Sequence, residues 1–268
     1  MCVADYRMEG AMRYLPGEVV ISPEADLPLL RTVHRAGHVT FHQLYSSFYP
    51  HKEKRLWDSL SWRASRLAKS KFLDRTPVPG LKGPVLSLGE NGELYLQGRE
   101  RFLVERAGRS RGANRRHQIW HDVDLFDIQL ALRRAGALVL WESESEVKAI
   151  NDFTTDRYAK DYDAVVTFRS GNRTGKVALE YERTPKSSRQ YERICAEIDQ
   201  EKKLETFLYL VPNCELHAFL LHALRNTRRR IVLALASEFI QSPQTTLLTD
   251  TRTRVQCRLE HCLTDAIP

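Results

Sequence analysis

Three acidic side chains have the types and spacing for metal-assisted chemistry. Glu180 and Glu182 stand two residues apart in the run KVALEYE (176–182). Residues two apart on a strand share a face, so both carboxylates project the same way, with Lys176 and Ala178. Val177, Leu179 and Tyr181 project the other way. Asp163, in the run YDAVVTF (162–168), comes one hairpin earlier and supplies a third oxygen. Neighbouring carboxylates repel, and burying them unpaired is costly. A divalent cation is the simplest remedy, and an all-oxygen set suits Mg²⁺ or Mn²⁺. Such an ion polarises a phosphodiester and lowers the pKa of bound water. The competing reading is a solvent-facing sheet edge, with Glu180 and Glu182 paired to Arg183 and Lys186.

The elements that must hold these residues follow from periodicity. Residues 117–134 show helical apolar spacing through Ile119, Val123, Phe126 and Leu130, stopped by Gly136. Strands are predicted over 137–141, 162–168, 176–182, 207–211 and 231–236, with helices over 187–204 and 215–224. Strands alternating with helices in the later part require crossovers and a mixed sheet flanked by helices. The alternating Glu142, Glu144 and Glu146 read as a polar strand edge. The segment after Phe239 carries weak signals, either an added strand or a surface-packed tail.

The N-terminal part differs in charge. Residues 1–116 hold 20 Lys and Arg against 12 Asp and Glu, a net +8, whereas residues 117–268 hold 21 against 22, a net −1. A basic module joined to a slightly acidic one points to polyanion binding by the first. Helices are predicted over 24–36, 41–48 (capped by Thr40) and 52–70. A strand at 72–75 and a Pro/Gly loop follow. A hairpin is then expected from 85–88 to 93–96, around Asn91-Gly92. Three helices followed by a hairpin is the order of a winged helix-turn-helix domain. On the third helix Arg55, Ser59, Trp62, Arg66 and Lys69 recur at intervals of four and three, which places them on one face. A recognition helix uses such a face to neutralise phosphates and read bases; a solvated charged face is the alternative. Residues 106–116, with Arg109, Arg111, Arg115 and Arg116, read as an Arg/Gly/Ser-rich hinge that can track a phosphate backbone. The expected organisation is a winged helix over 1–105, the linker over 106–116 and a catalytic domain over 117–268.

Asp163 and the pair Glu180-x-Glu182, on a hairpin after a helix and a strand, resemble the PD-(D/E)xK nuclease superfamily. There an Asp and a Glu bind the metal and a Lys two residues later positions water. Glu182 stands where that Lys is usual, an E-x-E variant that some restriction endonucleases of the superfamily carry. A resemblance over nearly the whole chain is to the replication-relaxation proteins of plasmids and integrative elements, and within them to the MobC-type (MOBC) relaxases. Its most specific segment is EYERTPKSSRQY (180–191). That resemblance implies nicking at a transfer origin by a PD-(D/E)xK-like site, in place of a tyrosine nucleophile beside a His-hydrophobic-His metal site; the chain has no His-x-His triplet. It implies Asp163, Glu180 and Glu182 as acidic metal-binding positions and Lys186 as the downstream Lys. A carboxylate from the first helix of the domain completes such sites, with Asp122 placed ahead of Asp124 and Asp127. The partners implied are duplex DNA at a transfer origin, an accessory mobilisation protein and a coupling ATPase.

Other features bound the reading. A hydrophobic share of 42 % and a charged share of 28 % exclude disorder over most of the chain. No apolar run approaches the roughly 18 residues that span a bilayer, and the opening segment lacks the pattern of a secretory signal. Five cysteines without a CxxC pair argue against a disulfide framework or a structural zinc site. A reduced, cytoplasmic protein without membrane insertion is expected, with Cys257 and Cys262 as ordinary thiols. His117 and His121 are four apart but lack a third ligand, so zinc is set aside. Trp57 and Trp62 suit core packing or surface cover as well as base stacking. Two rival functions stay open: a non-catalytic DNA-binding replication accessory or repressor with a degenerate nuclease fold, and a defence or transposon endonuclease cutting both strands.

Overall fold

A computed structural model describes residues 19–50, 54–97, 99, 113–170 and 173–262. The protein is a mixed α+β molecule with a three-stranded antiparallel sheet and a seven-stranded mixed sheet.

The N-terminal half runs α1 (Asp26–Ala36), β1 (His38–Thr40), α2 (Phe41–Phe48), α3 (Lys54–Lys69), β2 (Leu73–Thr76), β3 (Val85–Leu88) and α4 (Glu90–Gln97). Gly37 stops α1 at φ 69°, a conformation that costs glycine little. Thr40 and Gln43 form a capping box on α2, satisfying amide groups that would otherwise lack partners. Leu29, Leu30, Val33, Leu44, Leu60, Ala64, Leu67, Leu86 and Leu96 make the core.

The expected hairpin from 85–88 to 93–96 does not form. β3 pairs antiparallel with β2 on one side and with β1 on the other, so the chain reverses across the Pro/Gly loop of 77–84 instead. Residues 90–97 wind into α4 and bury Leu96. Gly89 and Gly92 sit so close to the backbone of Lys71 and Phe72 that a Cβ on either would overlap a carbonyl. Gly89 N donates to Phe72 O at 3.0 Å and Asn91 N to Lys71 O at 3.0 Å. The Asn-Gly pair therefore serves close packing in a helical turn, not a two-residue strand reversal.

The C-terminal half runs α5 (Ala113–Arg134), β4 (Leu138–Ser143), α6 (Glu144–Phe153), β5 (Ala164–Ser170), β6 (Arg173–Tyr181), α7 (Ser188–Gln200), β7 (Thr206–Val211), α8 (Cys214–Ala223), β8 (Arg230–Leu235), α9 (Ala236–Gln241), β9 (Leu248–Asp250), β10 (Gln256–Cys257) and a 3₁₀ turn (Leu259–Cys262). The sheet order is β10-β9-β8-β7-β6-β5-β4, parallel only at β6–β7 and β7–β8. One face packs Val166, Phe168, Val177, Leu179 and Tyr181 against Ile128 and Leu132 of α5 and Phe239 of α9. The other packs Val165, Ala178, Phe207 and Tyr209 against Val147 of α6, Ile198 of α7 and Leu220 of α8. No helix among the described residues is long and apolar enough to cross a membrane.

Two further expectations change. Glu144 and Glu146 lie in α6, not on a strand edge; the Glu146 carboxylate accepts from Ser143 N and Oγ, both at 2.9 Å, and starts the helix. Residues 113–116, expected in the linker, belong to α5, and 106–112 lie outside the described residues. Arg109 and Arg111 lie outside the described residues. α5 ties the halves together. Phe126 and Leu130 enter the N-terminal core, while Gln43 Nε2 donates to Val123 O at 2.7 Å and His38 Nδ1 lies 2.6 Å from Asp122 Oδ2.

Candidate functional site

The three strand carboxylates meet at one end of the large sheet. Asp163 directly precedes β5, Glu180 lies in β6, and Glu182 follows β6 but stays in line because its amide donates to Leu210 O at 3.0 Å. Asp163 and Glu180 share the face of Val165 and Ala178, as strand alternation requires. An open cleft of about 430 Å³ is lined by His117, Gln118, His121, Asp163, Glu180, Tyr181, Glu182, Arg183, Thr184 and Lys186. The expectation that Asp163, Glu180 and Glu182 face a common space agrees with this arrangement, and Lys186 is there with them.

Each carboxylate has its own cation. His121 Nε2 lies 3.1 Å from Asp163 Oδ2, which also accepts from the Tyr181 amide at 2.7 Å. Lys160 Nζ lies 2.7 Å from Glu180 Oε1. Lys186 pairs with Glu182. Arg183, weighed as a partner for the glutamates, instead lies 3.5 Å from Asp124 and over the Trp120 ring. Among the described residues no three His, Cys, Asp or Glu side chains converge as a preformed cation cage.

Proton affinities follow from these contacts. Burial and the Asp163 charge push the Glu180 carboxyl up to about 7, against the opposing pull of Lys160 and Lys186. Burial raises Glu182 as well, offset by Lys186. Burial would also raise Asp163, but the His121 charge and the hydrogen bonds from His121 and Tyr181 hold it below the ordinary range. Burial by itself would depress His121; the charges of Asp163 and Asp122, with the Asp163 hydrogen bond, outweigh it and lift the imidazole to about 11. Glu144 still meets solvent, yet crowding by protein atoms and the charges of Asp163 and Asp122 push it up to about 7. The Tyr209 hydroxyl, paired in register with Glu180 across β6–β7, is buried without a partner.

The loop before β5 is held from behind. The Glu201 carboxylate accepts from Ala159 N at 2.8 Å, Tyr162 Oη at 2.9 Å and Lys203 N at 2.7 Å. These bonds fix the segment that carries both Lys160 and Asp163.

Asp122 is not a cleft ligand in this arrangement. Its Oδ2 faces His38, and its Oδ1 accepts from Gln118 Nε2 at 2.7 Å and lies 3.6 Å from His121 Nδ1. Its charge sits beside the His121 ring instead. The residues missed from the sequence are Lys160 and His121. Lys160 sits in a loop, where no periodicity points to its direction. The spacing of His121 relates it only to His117, a pair without a third ligand.

On α3, Arg55, Ser59, Trp62 and Lys69 are exposed, Trp62 by 66 %. Arg66 is not available in the same way. Its guanidinium lies 2.5 Å from Asp26, which is fully buried and also bound by Arg63 at 2.9 Å. Arg116 is exposed at the start of α5; Arg115 lies in the same first turns.

No family model, curated protein or solved structure matches the chain.

The carboxylate set fits a divalent cation in donor chemistry. Asp163, Glu180 and Glu182 offer only oxygen, as Mg²⁺ and Mn²⁺ prefer. The raised Glu180 carboxyl marks a second acid beside Asp163 that a cation in the cleft would stabilise in its charged form. The flexible Lys side chains are the groups such an ion would displace.

Proposed function

We propose that the protein is a metal-dependent DNA endonuclease that nicks one strand, with the relaxase-like role at a transfer origin that its sequence resemblance implies. The observation carrying this reading is the common cleft of Asp163, Glu180 and Glu182 at the end of a mixed sheet, beside a basic helical module. In this reading the C-terminal half is a PD-(D/E)xK-like nuclease and the N-terminal half a winged helix. The order α1-β1-α2-α3-β2-β3, with β2 and β3 antiparallel, supports the second assignment.

Asp163, Glu180 and Glu182 would hold Mg²⁺ or Mn²⁺, which when bound supplies Lewis-acid polarisation of phosphate and a more acidic water. Lys160 supplies the cation that Glu182 displaced from its usual sequence position, and it neutralises charge developing on the phosphate. Lys186, which pairs with Glu182 when no ion is bound, flanks the same cleft. His121, beside Asp163 at the cleft, is the group able to give a proton to a leaving oxygen. The exposed face of α3, with Arg55, Ser59, Trp62 and Lys69, docks the duplex.

The test is conversion of supercoiled origin plasmid to open circle with Mg²⁺ or Mn²⁺. Glu180→Gln abolishes nicking and leaves DNA binding intact. Unchanged nicking by that variant removes the site assignment, and a linear product replaces nicking with double-strand cutting.

A specific observation favours a second reading. Every cleft carboxylate already has a protein cation, as in an interaction platform that never binds metal. On that reading the protein is a non-catalytic DNA-binding accessory or repressor, and calorimetry finds no uptake of Mg²⁺ or Mn²⁺ at millimolar concentration.

A further inference from the structure

At the far edge of the large sheet from β4, two thiols lie almost in contact. Cys257 Sγ in β10 is 3.7 Å from Cys262 Sγ in the 3₁₀ turn. Both are free thiols. The turn holds them in place: His261 N donates to Arg258 O at 3.0 Å, and Arg258 N to His261 Nδ1 at 3.3 Å. Arg230 of β8 clamps both sides of the turn. Its Nη2 lies 3.3 Å from Cys257 Sγ and its Nη1 donates to the His261 carbonyl at 2.8 Å, with Asp250 3.7 Å from its Nε. Cys257 is partly exposed, whereas Cys262 is buried behind it.

This arrangement differs from two cysteines that merely happen to be near. One sulfur is reachable from solvent and faces a fixed guanidinium, which stabilises a thiolate. The other is packed against it, withdrawn from solvent. A disulfide needs a sulfur separation near 2.05 Å, so closure asks for a shift of under about 2 Å within one short turn.

We propose that Cys257 and Cys262 form an oxidisable dithiol, with Cys257 as the peroxide-reactive sulfur and Cys262 as the resolving one. The Cys257 thiolate attacks one oxygen of hydrogen peroxide; an S–O bond forms, the O–O bond breaks and hydroxide leaves. Cys262 sulfur then attacks Cys257 sulfur. The S–S bond forms and the S–O bond breaks. The departing hydroxide takes the Cys262 proton and leaves as water, while the hydroxide of the first step recovers the proton lost when Cys257 ionised. Two thiols are oxidised by two electrons, and one peroxide is reduced to two waters. The hydrogen bond from Cys262, with the charges of Arg230 and His261, holds the Cys257 thiol down to about 6 against burial that would raise it. The same pairing and burial push Cys262 up, as suits a resolving thiol that stays protonated until it attacks. The oxidised bridge ties β10 to the last turn of the described chain.

The experiment is peptide mapping of the full-length reduced protein after one equivalent of hydrogen peroxide. Trypsin cleaves after Arg254 and Arg258 and so separates the two cysteines onto peptides 255–258 and 259–268. The expected product is these two peptides joined, lighter by two hydrogen atoms, while exposed Cys214 stays free. In Cys262→Ser, Cys257 stops at the sulfenic acid and is captured by dimedone. At pH 7 Cys257 reacts several-fold faster than Cys214. Oxidation of Cys257 no faster than Cys214 at pH 7, peptides that never join, or no dimedone adduct in Cys262→Ser overturns the proposal.

Discussion

Lys160 Nζ lies 2.7 Å from Glu180 Oε1, and the pair joins a loop residue to the strand face that carries the candidate chemistry. Glu201 fixes that loop through Ala159 N and Tyr162 Oη. Lys160 therefore brings a cation to Glu180 from another element. On the nuclease reading, Lys160→Met lowers the rate of plasmid nicking by about 10²-fold, the scale of losing one electrostatic stabiliser. DNA binding measured by gel shift stays within a factor of two or so, because the lysine contacts no part of the docking helix. Nicking at the wild-type rate in Lys160→Met removes its assigned role.

Glu201→Ala is expected to destabilise the protein. The residue is 1 % exposed and accepts three hydrogen bonds. Truncation leaves two amide groups and one buried phenol without that acceptor, each costing about 1–3 kcal/mol where it stays dry. A net loss of about 2–5 kcal/mol follows, read as a lower urea midpoint with an unchanged slope. Glu201→Gln keeps an acceptor and recovers part of the loss. A midpoint unchanged in Glu201→Ala shows that the loop is held by other contacts.

How much of this was legible beforehand depends on what sets each element. α2 is legible at Phe41–Phe48 because Thr40 is a local N-cap signal, and the structure adds Gln43 to the cap. β5, β6 and β7 were read within a few residues because their apolar runs are continuous. The face shared by Glu180 and Glu182 follows from alternation alone. α6 was missed because the alternation of Glu142, Glu144 and Glu146 imitates a strand, while its helix start depends on the Ser143–Glu146 contact. The Asn91-Gly92 turn misled because Leu88 is already opposed by Leu73, a pairing made far back in sequence. Arg66 had the spacing of a DNA contact, but its partner Asp26 lies 40 residues away, beyond any helical pattern. Lys160 was invisible for the same reason: its direction is set by a loop that Glu201 pins from another part of the chain.

His121 makes the metal-free protein sensitive to high pH. Its folded pKa, about 11, lies above the ordinary value of 6.5. A group with a raised folded pKa contributes stability that is complete below its unfolded pKa and is lost as pH rises through the folded one. Thermal unfolding in a chelating buffer should therefore show falling stability between about pH 6.5 and pH 11. His121→Gln should flatten that decline. An identical pH profile in this variant places the sensitivity elsewhere.

Asp26 acts in the opposite direction. Burial would raise its carboxyl, but Arg66, the Ser22 amide and Arg63 hold it below the ordinary carboxylate range. A depressed folded pKa contributes stability that is present above the unfolded value and lost as pH falls through the folded one. Acid titration below about pH 4 should loosen the N-terminal half, where Asp26 joins α1 to α3. Asp26→Asn should weaken the protein at pH 7 and remove much of this acid dependence, both measurable by circular dichroism. Retention of the full wild-type acid transition in Asp26→Asn shifts the cause to other carboxylates.

The α3 face separates a docking role from a structural one, because its basic residues are engaged so differently. Arg55 and Trp62 are exposed, whereas Arg66 is spent on Asp26, donates to Val20 O at 3.2 Å and stacks 5.6 Å from the Trp62 ring. On the DNA-docking reading, Arg55→Ala weakens duplex binding, lowers the salt slope by about one and leaves stability nearly unchanged. Trp62→Ala removes a ring that no core residue needs, and its effect should fall on binding. Arg66→Ala should do the reverse: it leaves the buried Asp26 charge held only by Arg63 and the Ser22 amide and lowers stability by about 3 kcal/mol, the scale for breaking a buried pair. Fluorescence anisotropy against salt, with urea unfolding on the same three variants, resolves the two behaviours. Equal loss of stability in all three would mean that this face is structural throughout, and duplex docking would have to be sought on another surface.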